Sequence, residues 1–488
     1  MTEIRTGTAI LTARIIRLGL RLLGKGATAL PGHTAIRIQP SILAHLVQGQ
    51  RVIAITGTNG KTTTTHMISE AMRSMGYEVV TNVSGANLAS GLVTSLLDGK
   101  AALKRAQRDG RPSVCVLEVD EAAFAKNNRF LQPVVQVVTN LFRDQLDRFG
   151  EITYTRDLIA AGLDSAAGAI LLNADDSMVA SLAKGREERV YFFGIDGGSM
   201  ECNSVTEAES VEERKTTADA SYCFFCRTKY EYRGRSFGHL GDYCCPDCGF
   251  ERNAPDFTVA YQKRVISEEN GRTITPSDTQ FPVELSYGDE KCSVKTTVPG
   301  LHNFYNLLAA AAACKIFGEK IGAPASLETI SRGAQTAKPA FGRMEKIQIG
   351  DKFLCFLLIK NPVSMERALS FISEVSDMGA AYFLLNSNDA DGRDVSWLWD
   401  VDFEARRYPE RVFVSGERYG DMYLRLVYAG VERDSITCAA LDSSAELVDT
   451  ALAVCKPGEC LYVMPNYTSM LYLRKILAEK YSLKAFWK

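Results

Sequence analysis

A glycine-rich run near the start of the chain carries the residue types of a phosphate-binding loop. The run Thr-Gly-Thr-Asn-Gly-Lys-Thr-Thr covers residues 56–63 and includes Lys61 and Thr62. Glycines let backbone N–H groups turn toward an anion, a lysine reaches the β- and γ-phosphates, and a threonine hydroxyl binds Mg²⁺. The general pattern has glycine where this chain has Ile55, so the loop is a variant. We predict that ATP and Mg²⁺ bind here, the alternative being an ordinary turn between a strand and a helix. The predicted nucleotide contacts are Thr58, Asn59, Gly60, Lys61, Thr62 and Thr63.

Two Cys-x-x-Cys pairs form a second group of residues that could bind a ligand. Cys223 and Cys226 are separated from Cys245 and Cys248 by eighteen residues. Four thiolates at this spacing suit tetrahedral Zn²⁺, and a closed four-cysteine site is structural because it leaves no position for water. The alternative interpretation is four buried thiols or a redox pair. We predict a structural zinc ribbon.

The elements that must hold the phosphate-binding loop follow from hydrophobic patterning. A strand over residues 51–55 leads into the loop, and a helix over 63–74 follows it. This order directs the positive end of the helix at a bound anion. Further strands alternate with helices, which predicts an α/β fold with a mainly parallel sheet. These strands are predicted at 77–81, 113–119, 134–139, 169–172 and 190–193.

Changes of composition divide the rest of the chain. Cysteines and aromatic residues crowd together between 216 and 255, which predicts an inserted module. β-rich segments follow at 257–298, and an alanine-rich helix is predicted at 301–317. The proline and glycine of 337–342 predict a domain joint. A second α/β series begins after this joint and predicts a separate Rossmann-like domain. Its strands are predicted at 353–359, 381–385, 411–414, 436–440 and 460–463.

At 488 residues the chain is too long for one hydrophobic core. We predict an N-terminal segment at 1–48 and a central ATP-binding domain at 49–337. The zinc ribbon is inserted in the central domain at about 216–256. A C-terminal Rossmann-like domain completes the chain at 338–488.

Composition and charge exclude several classes of protein. Lys plus Arg is 56 and Asp plus Glu is 58, so a strongly basic nucleic-acid binder is excluded as the default and we expect no nucleic-acid partner. Thirteen cysteines in so long a chain do not suit a secreted disulfide scaffold. Arg14, Arg17 and Arg21 interrupt the first apolar run, which argues against an export signal. We therefore expect a cytoplasmic protein, with peripheral attachment to the inner face of the plasma membrane left open.

The first segment predicts an amphipathic helix. Leu11, Ile15, Leu18 and Leu22 recur at helical spacing, and the three arginines share another face. One interpretation is a helix that lies on an anionic membrane surface. We favour the other, in which the helix docks on its own domain with its arginines in water.

The variant loop at 56–63 resembles the ATP loop of the Mur ligase superfamily, which also holds the folylpolyglutamate synthases. Other segments resemble that superfamily in the same order along the chain, and together they imply a Mur ligase-like P-loop ATPase fold for the central domain. These segments are Leu117–Glu121, Asn140–Arg148, Leu301–Asn306 and Phe341–Glu345.

The same resemblance implies metal ligands. Glu118, with Glu121 as the second choice, matches a glutamate that binds the second Mg²⁺, and a carboxylate can bridge a metal to a γ-phosphate. Gln145 stands where typical members have a metal-binding histidine, and its side-chain carbonyl is a candidate ligand for Mg²⁺. Many relatives use a carbamylated lysine shortly downstream, but this chain has no lysine between residues 151 and 183.

Nucleotide contacts are implied as well. Asn303 and Asn306 match the superfamily's His-Asn-x-x-Asn segment near the adenine, whose edge suits an amide because the amide both donates and accepts. Arg343 matches an arginine at the start of the third domain that would clamp phosphate.

The ribbon indicates which family of this superfamily the chain resembles. Residues 238–250 resemble the ribbon of the MurT family, and 358–362, 390–397 and 465–468 resemble its third domain. MurT proteins are synthetase subunits of lipid II isoglutaminyl synthase. The resemblance therefore implies ATP-dependent amidation of the α-carboxylate of D-glutamate in the lipid II stem peptide. It implies that an acyl phosphate forms and that ammonia attacks it to give D-isoglutamine, in peptidoglycan biosynthesis at the inner membrane face.

Ammonia must come from outside this chain. A class I glutaminase needs a nucleophilic cysteine, usually in Gly-x-Cys-x-Gly, and none of the 13 cysteines stands in that pattern. The resemblance implies a separate GatD-type glutaminase subunit in a heterodimer. One of Asp389, Asp391 and Asp394 could orient the partner's catalytic imidazole, the alternative being a loop of N-capping aspartates before a helix that contains Trp397. Lys360 could add positive charge at the domain interface, or be a solvated strand-end lysine.

Two other classes of function stay open at this point. The first is an amino-acid-adding Mur or folylpolyglutamate-type ligase that works alone, against which the missing lysine and Gln145 argue. The second is a non-catalytic zinc-bearing scaffold that keeps the ATP-binding fold.

Overall fold

The chain folds into two compact units, the first within residues 2–337 and the second within 343–481. The computed structural model describes residues 2–22, 29–82, 86–142, 152–202, 220–262, 264–266, 273–274, 280–337, 343–375, 377–389, 391–404 and 406–481.

The first unit alternates helices with strands, as the sequence predicts. Its α-helices are α1 (Thr2–Leu22), α2 (Leu30–Ile38), α3 (Ile42–Val47), α4 (Lys61–Ser74), α5 (Ala89–Arg108), α6 (Glu121–Leu131), α7 (Ile152–Asp164), α8 (Ser177–Ala180), α9 (Leu301–Lys320) and α10 (Leu327–Gln335). Its strands are β1 (Val52–Thr56), β2 (Glu78–Thr81), β3 (Ser113–Glu118), β4 (Val135–Val138), β5 (Ala169–Asn173), β6 (Val190–Ile195), β7 (Glu201–Cys202), β8 (Glu231–Phe237), β9 (Leu240–Cys244), β10 (Phe257–Ala260), β11 (Val265–Ile266), β12 (Thr273–Ile274), β13 (Pro282–Tyr287) and β14 (Glu290–Lys295).

A nine-stranded sheet organises this unit, in the order β14-β13-β10-β6-β5-β4-β1-β3-β2. The seven strands in the order β10-β6-β5-β4-β1-β3-β2 pair in parallel with one another, whereas β13 and β14 form an antiparallel edge next to β10. All five residues of β1 are buried, as expected for a central strand covered on both faces. In register, Ile55 of β1 lies beside Glu118 of β3, and Thr56 lies beside Val138 of β4. The carboxyl ends of three adjacent strands therefore meet at one edge, where α/β proteins place their ligands.

Helix α9 covers this sheet and is buried almost all round. Residues 309–313 are five consecutive alanines, each at most 1% exposed. Small side chains allow the helix to approach the strands closely, and a helix that is apolar on every side belongs in a core.

Helix α1 packs on its own unit, as expected, but not through the face that the sequence suggested. Ala9 and Ala13 are buried, and Arg17 pairs with Asp98 of α5 at 2.8 Å. The larger side chains of Leu11 and Ile15, with Leu18, are exposed. Ala9 and Ala13, with Ile10 beside them, therefore form the contact, and the row of exposed larger side chains does not.

The predicted inserted module is a small β-sheet. Strands β7, β8 and β9 are antiparallel, and β8 and β9 form a hairpin whose turn is Gly238–His239. The two cysteine pairs flank this hairpin in sequence.

The second unit is a doubly wound α/β domain. Its strands are β15 (Arg343–Ile349), β16 (Lys352–Leu357), β17 (Met378–Leu384), β18 (Val412–Ser415), β19 (Ile436–Cys438) and β20 (Cys460–Pro465). Its α-helices are α11 (Pro362–Glu374), α12 (Tyr419–Tyr428), α13 (Ser444–Val454) and α14 (Tyr467–Lys480). The strand order is β15-β16-β20-β17-β18-β19, parallel except for β15.

Alternate strand residues of this second sheet point into two separate cores. Cys355 and Leu357 of β16 pack with residues of α11 and α12, whereas Leu354 and Phe356 pack with residues of α13 and α14. This period of two is what a sheet covered by helices on both faces requires. The prediction of a Rossmann-like α/β architecture is confirmed.

Candidate active site

The phosphate-binding loop connects β1 to α4 at the carboxyl end of the first sheet. Residues 57–60 are buried, and α4 begins at Lys61. Gly57 has φ +119° and Gly60 has φ +84°, a region that glycine enters without steric cost. A Cβ on Gly60 would lie 2.2 Å from Asn306 Oδ1, and one on Gly57 would lie 2.5 Å from Thr139 Oγ1. Conformation and close packing therefore both require glycine at these positions.

The segment after β4 braces the loop from behind. Asn59 N donates to Asn140 Oδ1 and Asn140 Nδ2 donates back to Asn59 O, each at 3.0 Å. Thr139 Oγ1 donates to the same carbonyl at 2.7 Å. These three bonds hold the loop in shape through the protein's own groups.

Lys61 is held on the protein's own acceptors. Its Nζ donates to Glu121 Oε1 at 2.7 Å and to the carbonyl oxygen of Gly57. Burial lowers the pKa of Lys61, but the carboxylates of Glu121 and Glu118 outweigh this effect, so the pKa is raised. The side chain therefore stays a cation at neutral pH. An incoming phosphate would compete with Glu121 for this ammonium.

Glu118, the last residue of β3, is buried beside this pair rather than exposed at the strand end. Its backbone N donates to Asn82 Oδ1 and its carbonyl accepts from Asn82 Nδ2, each at 2.9 Å. Asn87 Nδ2 donates to the carboxylate at 3.4 Å. Asn82 thus fixes the backbone that presents Glu118, a role that nothing in its sequence surroundings had indicated.

Asn303 and Asn306 lie one turn apart near the start of α9, and the structure brings Asn306 against the loop. Thr64 Oγ1 of α4 donates to Asn306 Oδ1 at 3.3 Å, and Asn306 Nδ2 donates to Asn303 Oδ1 at 2.8 Å. Asn303 Nδ2 in turn donates to Pro299 O at 2.6 Å. The two predicted asparagines and the predicted loop therefore form one continuous hydrogen-bonded group.

A buried network that the sequence analysis missed links α9 to the ribbon. Asp175 follows β5 and is fully buried, and it accepts from Arg252 Nε and from the Tyr305 hydroxyl, each at 2.7 Å. Ser236 of β8 is 2.6 Å from the same tyrosine oxygen. Burial raises the pKa of Asp175, against the opposing charge of Arg252. The sequence offered no signal for this network because its members are far apart along the chain.

The four predicted zinc ligands converge. Their sulphur atoms all lie within 4.8 Å of one another, with Cys223 and Cys248 at 3.5 Å and Cys226 and Cys245 at 3.3 Å. A tetrahedral ion with Zn–S bonds of about 2.3 Å needs sulphurs roughly 3.8 Å apart. Hydrogen bonds from Thr228 lower the pKa of Cys226 to about 7, which favours the thiolate. The cluster therefore has the donor atoms and the spacing to hold a metal ion.

The two cysteine pairs adopt the same turn. Arg227 and Gly249, each directly after the second cysteine of a pair, have φ +67° and +73°. Their backbone N–H groups donate to the carbonyls of Cys223 and Cys245, at 2.9 and 3.1 Å. Two matched turns that face each other are the expected framework of a four-cysteine ribbon.

The ribbon hairpin ends against the phosphate-binding side of the first unit. The Phe237 ring stacks on Phe142 at 5.9 Å between centroids and meets Tyr305 edge-on at 5.8 Å. Phe142 N donates to Thr58 Oγ1 at 3.1 Å. Phe237 thus contacts both the residue that braces the loop and the helix that carries the asparagines.

His239, at the same hairpin turn, is 2% exposed, and its ring lies 4.5 Å from that of Phe142. Its ring nitrogens make no hydrogen bond within the described structure, although Asp176 Oδ1 lies 3.4 Å from Nε2. The hairpin turn therefore places a buried aromatic pair beside the loop.

The candidate residues of the second unit lie after its parallel strands. Lys360 follows β16, and its backbone N donates to Ser364 Oγ at 2.8 Å. Asp391 is buried, accepts from Thr468 N at 2.8 Å, and accepts from the Thr468 hydroxyl. Both oxygens of Asp391 thus bind the first turn of α14 rather than the short helix that contains Trp397.

The other two aspartates are exposed. Asp389 accepts from Arg393 Nε at 2.9 Å. Asp394 accepts from Ser396 N at 2.7 Å and from Ser396 Oγ at 2.9 Å, and these bonds lower its pKa. Asp394 thus binds the first residue of the short helix Ser396–Asp400, which contains Trp397, as the capping alternative describes, and its carboxylate stays exposed.

Two predicted site residues, Gln145 and Arg343, lie wholly or partly outside the described structure. Gln145 lies outside the described residues. Arg343 begins β15 and pairs in register with Leu357, but its side chain is outside the described part of the structure.

Comparison with known proteins gives the family. The family described as "Mur ligase middle domain" matches residues 55–231, and "MurT ligase C-terminal" matches residues 358–470. The chain is 31% identical over 484 residues to the lipid II isoglutaminyl synthase (glutamine-hydrolyzing) subunit MurT of Streptococcus pneumoniae strain R6, covering 98% of each chain. The chain belongs to the MurT family. The subunit MurT of Staphylococcus aureus strain COL is also 31% identical, over 469 residues and 96% of each chain.

Membership of the MurT family confirms the predicted family and enzyme class, a ligase. Solved structures confirm the Mur ligase fold. A pseudomurein peptide ligase type C from Methanothermus fervidus superposes with a TM-score of 0.63 at 20% identity, over 90% of this chain and 81% of that one. Among the described residues of this MurT-family chain, the helices are all too short or too polar to cross a membrane.

Proposed function

We propose that this chain amidates the α-carboxylate of D-glutamate in the lipid II stem peptide, using ATP and ammonia. The observation that carries the proposal is its collinearity with MurT subunits over 98% of both chains. In the first step a carboxylate oxygen attacks the γ-phosphorus of ATP, and ADP leaves. Ammonia then attacks the acyl carbon, phosphate leaves and a proton is lost, giving D-isoglutamine.

A carboxylate resists ammonia because its charge repels nucleophiles and its oxygen leaves poorly. Phosphorylation removes both obstacles, and the enzyme's task is to position the groups and neutralise charge. We assign the γ-phosphate contact to Lys61, with Thr58, Asn59, Gly60, Thr62 and Thr63 as the loop. Asn303 and Asn306 are assigned to the nucleotide, and Arg343 and Lys360 supply further positive charge from the second unit.

Magnesium fits the acidic side of this loop. Two carboxyl groups, those of Glu118 and Glu121, are buried beside the one ammonium of Lys61, so the site offers more acidic oxygen donors than basic groups to pair with them. Thr62, Glu118 and Gln145 are the residues we assign to the ion. When bound, it neutralises negative charge on the phosphoryl group in transfer.

Zinc fits the four-cysteine cluster. The donor set is all sulphur, the sulphurs converge, and no position is left for a substrate. We assign Cys223, Cys226, Cys245 and Cys248 a structural Zn²⁺ whose role is to hold the ribbon hairpin in shape.

Ammonia comes from a second protein in this proposal, as the word subunit in the relatives' names supports. The partner is a GatD-type glutaminase in a heterodimer, working on lipid II at the inner membrane face. Of the three aspartates we assign the partner-facing role to Asp394, because Asp391 is buried against Thr468. Asp394→Asn should reduce glutamine-dependent amidation and leave ammonia-dependent amidation intact.

The choice of nucleophile tests the proposal. The complex with its glutaminase is incubated with lipid II and ATP, and either ammonium or a mixture of free amino acids is added in place of glutamine. Ammonium should yield the amide, seen in the mass spectrum as one hydroxyl replaced by one amino group. A new peptide bond to an amino acid would instead establish the stand-alone ligase alternative.

A further inference from the structure

Helix α1 presents a ridge of large apolar side chains to solvent. Ile4 is 75% exposed, and Leu11, Ile15 and Leu18 are each 61% exposed. Their spacing of seven, four and three residues places them on one helical face. Scattered exposed leucines are ordinary, but a continuous row along one helix needs a reason.

The exposure of the ridge does not result from poor packing of α1 on its unit. On the opposite face Ala9 and Ala13 belong to the main core of the first unit, together with Ala35 of α2 and Leu92 of α5. The helix is thus fixed by Ala9 and Ala13, with Ile10 packed against the same core. The ridge residues, whose burial would stabilise the fold, point away from it.

Positive charge borders the ridge. At about 100° per residue, Arg14 falls on one side of the ridge and Arg5 on the other. Both arginines are exposed. The sequence of α1 contains four arginines and one glutamate, so the helix carries a net positive charge.

Helix α5 extends the charge beside Arg14. Burial lowers the pKa of Lys100. The positive charges of Lys104 and Arg14 lower it further, because these three cationic side chains are near one another. Asp98, the neighbouring carboxylate, is already paired with Arg17. An apolar ridge flanked by cations is complementary to a surface whose interior is apolar and whose outer layer carries anionic groups.

We propose that α1 lies on the surface of an anionic lipid bilayer, with its ridge between the lipid headgroups and its flanking cations on their phosphates. The partner is a lipid surface rather than a second copy, because pairing two such ridges would bring two sets of cations together. Lysine and arginine stems can lie along the apolar boundary while their charges reach the phosphates. The proposal goes beyond the amidation chemistry and does not depend on it.

Vesicle binding tests this proposal with the full chain and no substrate. The probes are vesicles of phosphatidylglycerol mixed equally with phosphatidylcholine, and vesicles of phosphatidylcholine alone, in a flotation assay. The wild-type chain should float with the anionic vesicles, and salt should weaken the binding because it screens the cations. The triple variant Leu11→Ser, Ile15→Ser, Leu18→Ser should bind at least about tenfold less.

The matched control replaces three exposed apolar residues of the second unit, as Leu424→Ser, Tyr428→Ser and Val454→Ser. This control should float like the wild type, and equal circular dichroism would show that both triple variants fold. A variant with Arg5→Gln and Arg14→Gln should bind anionic vesicles several-fold less and lose much of the salt dependence. The proposal is overturned if the wild type does not float, if the ridge variant floats equally well, or if the ridge variant instead dissolves a dimer seen by sedimentation.

Discussion

At the scale of single residues, the site is arranged around the ammonium of Lys61. This group donates to Glu121 and to the carbonyl of Gly57. Binding a phosphate there exchanges one anionic partner for another, so the lysine need not lose its compensation when the site fills. We therefore expect Glu121 to hold the lysine in place until a phosphate binds, next to the expected metal site.

Replacing this lysine tests its role. Lys61→Met should lower the rate of ATP-dependent amidation by a factor on the order of 10² or more, because transition-state charge loses its fixed cation. Lys315→Met is the matched control, since Lys315 is also a buried lysine paired with a glutamate, Glu290. Initial rates with lipid II, ATP and ammonium measure the effect. Equal rates for Lys61→Met and the wild type would favour the scaffold alternative.

The aspartates of the second unit should separate by stability. Asp391→Ala removes a buried carboxylate that accepts two hydrogen bonds from Thr468, and it should destabilise the fold by about 1.5–3 kcal/mol. Asp389→Ala, at an exposed position, should leave stability unchanged. Urea denaturation of both variants measures this difference. A silent Asp391→Ala would mean that the bonds to Thr468 do not hold the start of α14.

At the scale of elements, the ribbon hairpin is built against the nucleotide side of the first unit. Phe237 contacts Phe142, which bonds to Thr58, and it also contacts Tyr305, which lies between the two asparagines of α9. A shift of the hairpin would therefore reach the loop and α9 together. We expect the ribbon to act as a positioning element for ATP.

Truncating the hairpin aromatic tests this coupling. Phe237→Ala should raise the KM for ATP several-fold and change kcat much less, because it loosens the binding site rather than removing a reacting group. Phe225→Ala is the control, since Phe225 is a partly exposed ribbon aromatic that packs on Phe224 and Phe250 instead. If both variants change the KM equally, the effect comes from general loss of ribbon stability.

Metal removal tests the role of the four cysteines at the base of the ribbon hairpin. The purified chain should contain one Zn²⁺ per molecule, and a chelator should lower its unfolding temperature because metal binding contributes to folding. Added Zn²⁺ should restore that temperature, measured by differential scanning fluorimetry beside metal analysis. A chain that is metal-free as purified and unaffected by chelator would contradict the zinc assignment.

Sequence patterns predicted those helices, strands and turns that depend on residues close together in the chain. The strand, glycine loop and helix around Lys61 lie within two residues of the predicted bounds, since glycine conformation and apolar runs act over short distances. Each cysteine pair forms one local turn for the same reason, and the β8–β9 hairpin between the pairs brings them together. Strand β15, by contrast, was not predicted, and its partly charged residues 343–349 lack a continuous apolar run.

Long-range packing explains what the sequence could not predict. The sequence ranked Glu118 above Glu121 as the metal ligand. It did not predict the ion pair between Glu121 and Lys61, because that pair depends on how α6 follows β3. The outward direction of Leu11 and Ile15 depends on which face of α1 meets α2 and α5. In both cases the deciding contacts come from residues distant in sequence.

At the scale of the whole molecule, the proposed chemistry draws on both compact units and on a second protein. The first unit holds the phosphate-binding loop and the ribbon, and the second holds Lys360 and Asp394 after its parallel strands. No cysteine of the chain stands in a glutaminase pattern, so the proposed mechanism takes its ammonia from another protein. We therefore regard it as one subunit of a two-protein ligase.

The most direct test of this account is a mass measurement on lipid II after incubation with this chain, its glutaminase partner, glutamine and ATP. We predict an amidated product that requires both proteins, disappears without ATP, and forms without the partner only when ammonium replaces glutamine. Lipid II that keeps its original mass with every component present would contradict the central claim.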